Sequence, residues 1–344
     1  MFSHPGILNT KKDLERLRTQ LTVERGPEPW RGGFTKLKEH PASSAQWRVR
    51  GGGFPTVCRE TAKNLGNDEL ASDANAAYQN ALMWWLTGEK AHKEKAIAIL
   101  DAWGGSLQTI TGHDKELAAA LYGFKLVNAA ELLEHKGFET CLRRAFIPVV
   151  KDFATFANGN WDTACIKMLL ACGVFLGDKA LFDKAVAYYK MGSGNGRLTH
   201  YVINETGQCQ ESGRDQQHVQ LGIGHLAEAA EIAWNQGIDL YSADNFRLLK
   251  GFEYTAQYNL GEEVPFERYK DKTGKYDWPM ISEQGRGKLR PIFEMALNHF
   301  EGRLGKKAPY TRRAAESLRP ESAAFQADHP GFGTLLFLRE KSVK

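Results

Sequence analysis

Apolar residues return every three or four positions along most of this chain, the spacing of helices with a buried face. Over 70–102 the pattern breaks once, at Thr87-Gly88, which predicts a helical hairpin. It resumes over 114–135, with Asp114 as a candidate N-cap, and over 139–158, 161–176 and 179–191. Further helices are predicted from about Asp215 to Trp234, Asn245 to Tyr258 and Gly287 to Leu304. The best strand signal is Leu198–Ile203. Helices starting near 114, 161, 215 and 287 are rich in Ala, Leu and Gly on several faces, whereas those near 140, 179 and 245 carry charge on one face. Such alternation fits inner helices buried all round and amphipathic outer ones. The expected fold is therefore all-α, an incomplete (α/α) toroid of stacked hairpins, as a single domain over 1–344 with 306–344 as a closing helix and tail. In that arrangement the starts of the inner helices share one rim with the links that reach them. Chemistry is expected near 104–113, 158–161, 192–218 and 259–288. These links are rich in Gly, Asn, Arg and aromatics, and long links in a compact domain are usually functional.

Composition narrows the function. With 42% hydrophobic and 25% charged residues in 344, the chain is ordinary globular material. Its net charge of +4, from 45 basic and 41 acidic residues, provides no dense basic stripe, so nucleic acid is not an expected partner. A polyanion in a locally positive cleft is compatible with it. The five cysteines form no C-x-x-C pair, and Cys165 and Cys172 read as small buried hydrophobes. No apolar run reaches the ~18 residues of a membrane span, so no membrane partner is expected. Met1 leads at once into Ser3-His4-Pro5, which predicts no signal peptide at this start. The expected location is secreted or periplasmic, with the cytoplasm as the alternative. There is no H-E-x-x-H, zinc spacing, P-loop, G-x-S-x-G or Rossmann fingerprint, so neither metal nor cofactor is expected.

Three clusters carry candidate chemistry. In Asn158-Gly-Asn160-Trp161, at an inner-helix start, Asn160 is either a capping residue or an amide donor to a substrate carboxylate; Trp161 is either core or a face for a sugar. In Glu211-Ser-Gly-Arg214-Asp215-Gln-Gln-His218, Arg214 and His218 lie one helical turn apart, and Glu211 can pair with Arg214. A helix N-terminus also favours the neutral imidazole that a base requires. The third cluster contains Tyr258, Arg268 and Tyr269, followed by Gly285-Arg286-Gly-Lys, a weak anion-binding pattern. His113, in the 104–113 link, joins the candidate substrate contacts.

These residues resemble the alginate-lyase superfamily of helical-toroid polysaccharide lyases. The likeness rests on His4-Pro-Gly-Ile-Leu-Asn-Thr, Asn158-Gly-Asn160-Trp161, Glu211-Ser-Gly-Arg214, the block Gly251–Gly261 and Gly285-Arg-Gly, and spans roughly 4–305. It implies an acidic polysaccharide substrate, alginate or glucuronan, with Asn160 on the uronate carboxylate. Two positions depart from the best-known members. Trp161 stands where they carry a histidine, and Leu221 stands seven residues after the motif arginine, where they carry the catalytic tyrosine. The resemblance to another branch then implies His218 as base, with a tyrosine from elsewhere as acid. By position, Tyr269 is the first choice because its loop lies at the inferred rim, Tyr258 at the end of the preceding helix the second and Tyr254 one turn deeper the third.

The expected catalytic set is His218, Tyr269, Asn160 and Arg214, with Trp161, Glu211, Tyr258, Arg268, Arg286 and His113 binding substrate. The expected reaction is β-elimination at a 4-O-linked uronate. A base removes the C5 proton while donors offset the carboxylate charge, and an acid protonates the leaving O4. One alternative is a glycoside hydrolase, for which Asp162, Glu211, Asp215, Glu262 and Glu263 can supply two carboxylates. The other is a non-catalytic binder of acidic glycans.

Overall fold

The computed structural model describes residues 1–22, 26–60 and 64–339. After α1 (Lys11–Thr22) and α2 (Trp30–Glu39), the predicted hairpin appears as α3 (Asn67–Thr87) and α4 (Lys90–Ser106). The chain turns between them at Gly88, whose φ of 76° is a conformation glycine adopts without strain. Next come α5 (Lys115–Leu132), α6 (Gly159–Leu176), α7 (Lys179–Met191), α8 (Gln216–Asn235) and α9 (Ala243–Asn259). The short α10 (Phe293–Leu297) runs into a π turn, Asn298–Arg303, and α11 is Pro309–Leu318. Three short strands, β1 (Thr56–Arg59), β2 (Asn64–Leu65) and β3 (Thr109–Thr111), form a sheet of order β2-β1-β3. β4 (Tyr269–Lys270) and β5 (Asp277–Trp278) form an antiparallel hairpin in register Tyr269↔Trp278.

Helices α3, α5, α6 and α8 pack side by side as the inner layer, with α4 against α3 and α7 against α6 outside them. Burial follows that division. Of α5, every residue from Glu116 to Leu132 is buried, while α7 buries only Phe182, Ala185 and Tyr189. This is the all-α toroid of the sequence reading, and all five cysteines are free and buried in it.

Four local expectations are corrected. Asp114 occupies the N-cap position of α5 but caps no N–H; its carboxylate pairs with His113 Nδ1 at 2.6 Å. The 139–158 helix ends at Val150 and is interrupted by a π turn over Leu142–Phe146. Leu198–Tyr201 is one helical turn, and only Val202 forms a β-bridge, to Cys209. The last inner helix starts at Phe293 and not at Gly287, because Gly285 and Gly287 adopt positive φ and Pro291 lies in a turn just before it.

The C-terminal segment returns across the bore. Asn75 of α3 donates to Gln326 O at 2.9 Å, and Lys167 of α6 and His225 of α8 both reach Asp328 O at 3.2 Å. Glu228 of α8 takes Lys167 Nζ and His329 Nδ1, each at 2.5 Å, and Arg290 holds Asp328. Buried charge is tolerated only when paired in this way.

Candidate active site

Glu211 organises the rim. It sits in the tight segment before α8 and is fully buried. One carboxylate oxygen accepts Asn160 Nδ2 at 2.7 Å and Arg214 Nη1 at 2.8 Å. The other accepts the Asn160 backbone N–H at 3.0 Å and the Tyr201 hydroxyl at 3.2 Å. A buried carboxylate with four donors is stable where a bare one would not be. Tyr201 reaches Glu211 because α8 has Gly222 at the crossing, where a Cβ would lie 2.1 Å from the hydroxyl oxygen.

Asp215 performs the neighbouring task. As the N-cap of α8 it accepts the N–H groups of Gln217 (2.9 Å) and His218 (2.8 Å). Its second oxygen lies 2.6 Å from His218 Nδ1. Burial pushes the Asp215 carboxyl up, but the His218 ring and backbone bonds and the nearby Arg214 charge outweigh it, and the net shift is down. The carboxylate therefore stays ionised and accepts a hydrogen from Nδ1, so that in the neutral imidazole Nε2 is the nitrogen free to accept a proton. The His218 side chain is 37% exposed and that of Arg214 is 29% exposed. A cation and a basic nitrogen thus face solvent one helical turn apart, each held from behind by a carboxylate.

Trp161 continues the rim. Its ring makes edge contacts with His113 (centroids 5.7 Å apart) and Phe156 (6.2 Å). The β4–β5 hairpin bridges the two halves. At its base a Cβ on Gly213 would lie 2.2 Å from Trp278 Cβ; at its tip Lys275 Nζ donates to Phe156 O at 3.0 Å.

The sequence matches the family model described as alginate lyase over residues 34–266. The chain belongs to the alginate lyase family. It is therefore a polysaccharide lyase. Its fold is similar to that of an alginate lyase from Bacteroides ovatus, with a TM-score of 0.64 and 14% identity, covering 98% of this chain and 100% of that one. It is equally similar to alginate lyase A1-III from Sphingomonas species A1, with a TM-score of 0.64, 16% identity and the same coverage. A tyrosine-to-phenylalanine variant of A1-III complexed with a tetrasaccharide matches with a TM-score of 0.63 and 16% identity, over 96% of this chain and 95% of that one. Among curated proteins none matches. No helix among the described residues of the lyase is long and apolar enough to cross a membrane.

Of the residues singled out in the sequence, Asn160, Glu211, Arg214 and His218 come together, with Trp161 and His113 along the adjoining edge. Others are placed differently. Glu211 does not reach solvent; it holds Asn160 and Arg214 from within. Asn160 is also fully buried; Asn158, not Asn160, occupies the N-cap position of α6, and its side chain caps nothing. Tyr258 is buried beneath Arg286, whose guanidinium carbon lies 3.9 Å from the ring centroid. The donors of Arg286 go to Tyr258 O, Glu262 O and the Glu263 and Glu283 carboxylates, so it is a clamp between loops and no anion site. Arg268 is exposed and lies in a two-pronged pair with Asp277 on the hairpin (2.7 and 2.9 Å). Tyr269 is half-buried in the same hairpin, where burial and the Asp271 charge raise its hydroxyl pKa. Sequence reasoning missed Asp215 as the partner of His218, although their i,i+3 spacing at a helix start was a usable signal. It also missed Tyr201, which was read as part of a strand.

Proposed function

We propose that the lyase cleaves alginate, or a closely related polyuronate such as glucuronan, by β-elimination. The observation that carries this reading is the pair Arg214 and His218, fixed by Glu211 and Asp215 and open to solvent together. Arg214 offsets the charge of the uronate carboxylate, which makes the C5 proton acidic. His218 Nε2 takes that proton. The C5–H electron pair becomes the C4–C5 double bond, the C4–O4 bond breaks, and an acid protonates O4. The products are unsaturated at the new chain end. Tyr269 is the proposed acid, since the other two candidates are committed elsewhere: Tyr258 lies under Arg286, and the Tyr254 hydroxyl donates to Pro265 O at 2.7 Å. Asn160 contributes by linking the start of α6 to the Glu211 carboxylate. The proposed location is secreted or periplasmic, where such polymers are met.

Of the five carboxylates considered for a hydrolase, only Glu262 and Glu263 are open; they are neighbours in one loop and each is ion-paired, so they do not flank a bond from two sides. Asp162 is buried on the N–H groups of Ala154 and Gly196 and on the Tyr188 hydroxyl, and Glu211 and Asp215 are occupied as described. Glu262 pairs with Arg313 and Tyr310, and Glu263 with Arg286. The test is a comparison of pure mannuronate blocks, pure guluronate blocks and glucuronan as substrates, followed by ultraviolet absorbance. New absorbance that disappears in His218→Ala supports the assignment. Full activity of that variant on all three polymers rejects His218 as base.

A further inference from the structure

The β4–β5 hairpin is more than a cover for the buried side of the site. Its tip is fastened by Asp271, which accepts Tyr276 N at 3.0 Å, Thr273 Oγ1 at 2.7 Å and Asn195 Nδ2 at 2.6 Å. Asn195 in turn donates to Ala157 O at 2.8 Å, in the turn that leads into α6, and accepts Lys272 N at 3.0 Å. The tip is thus a fixed element at the Trp161 end of the rim. It presents Lys272 and Lys275, both exposed, and neither makes an ion pair within 4.0 Å among the described residues. The nearest acidic groups of the hairpin are already used: Asp271 in the turn and Asp277 on Arg268. Arg197 and His200 flank the tip; burial holds the His200 pKa down, and the charges of Lys272 and Arg197 act in the same direction. Beside the lysines stands Phe156, an exposed apolar ring (48%) in edge contact with Trp161. An aromatic pair, Phe156 exposed and Trp161 half-buried, bordered by two lysines that make no ion pair among the described residues, matches a chain of sugar rings that carry carboxylates at regular intervals.

We infer that the edge Trp161–Phe156–Lys275–Lys272 is a distal binding surface for an acidic polysaccharide, taking sugars that lie beyond the reacting one. This rests on the polyuronate reading above. The rings of Trp161 and Phe156 offer faces for pyranose stacking. Lys275 and Lys272 supply the positive charge that the carboxylates of successive sugars require. The surface favours long chains over short ones, because only a long chain reaches it while a sugar is held at Arg214.

The experiment uses the double variant Lys272→Gln/Lys275→Gln and the single variant Lys272→Glu, whose native side chain makes no hydrogen bond among the described residues. Steady-state kinetics on alginate and on an alginate trisaccharide are measured across a sodium chloride series. The expected result is a rise of about tenfold in KM for the polymer relative to the trisaccharide at low salt, a loss of about 1.4 kcal/mol in polymer binding. The salt dependence of polymer KM should flatten, since fewer charges remain to be screened. Removing Lys12 and Lys90, which carry equal charge on α1 and α4, should leave that ratio in place. An unchanged ratio in both tip variants overturns the proposal. Affinity electrophoresis through an alginate gel separates this from the function reading. If the wild-type protein cleaves no polyuronate but is retarded by alginate, and the tip variants are not, the surface stands and the reaction assignment falls. Equal migration of wild type and variants overturns the surface.

Discussion

At the scale of single residues, the candidate site is held by two buried carboxylates set behind the groups that face solvent. Glu211 accepts four donors, and each donor left buried without its acceptor costs about 1–3 kcal/mol. Glu211→Gln keeps the shape but exchanges acceptors for an amide. It should lower the melting temperature clearly and reduce turnover by about 100-fold or more, the scale of disturbing a transition-state donor. Thermal unfolding and kinetics on the same sample check this. A stable, fully active variant would mean that Arg214 needs no holder. Asp215→Asn allows the wrong His218 tautomer, so kcat should fall by at least about 100-fold, with a much smaller change in KM. Gly222→Ala places a methyl on the Tyr201 hydroxyl, and overpacking of this kind costs about 1–3 kcal/mol. Denaturant unfolding measures that loss. Much of this was legible in the sequence: Glu211, Arg214 and His218 stand at helical spacings just before a helix. The burial of Asn160 was not, because it is imposed by Glu211 and Tyr201, which approach only after α6 and α8 have packed.

At the scale of elements, periodicity identified α3 through α9 because their apolar positions repeat over several turns. It failed where glycine and proline override a favourable composition. The stretch after Gly285 looks helical by residue type, yet Gly285 and Gly287 turn the backbone to positive φ and the helix waits for Phe293. The β4–β5 hairpin escaped notice for another reason. Its strands have two residues each, too few to show alternation, and its stability comes from contacts with Gly213, Asn195 and Phe156. The base contact gives a direct test. Gly213→Val cannot be accommodated beneath Trp278, so the hairpin must lift. Activity should fall well beyond any loss of global stability, and protease cleavage within 266–280 should quicken. Unchanged proteolysis would show that the hairpin is held by its tip alone.

At the scale of the whole molecule, the ring of hairpins is incomplete, and the C-terminal segment spans its bore through Gln326, Asp328 and His329. The sequence predicted only a closing helix and a tail there, because a polar segment matched to buried charges looks the same as a solvated one. The bore has a pH signature. Burial pushes Lys125 down to about 7 from its ordinary 10.5, with the nearby Lys167 charge acting in the same direction. Below pH 7 the folded protein must carry that charge inside, and the penalty is complete. Between about 7 and 10.5 the unfolded chain holds a proton that the folded one has shed, so stability rises with pH. Lys125→Met should therefore melt higher than the wild type at pH 6, with the advantage shrinking towards pH 10; a constant difference would contradict this. All of these elements bring Arg214 and His218 to one open rim, where the proposed chemistry is elimination and not hydrolysis. The most direct measurement incubates the purified protein with alginate and follows ultraviolet absorbance and reducing ends together. Elimination gives one unsaturated end for each new reducing end, and both signals should be lost in His218→Ala. Reducing ends that accumulate without absorbance would contradict it.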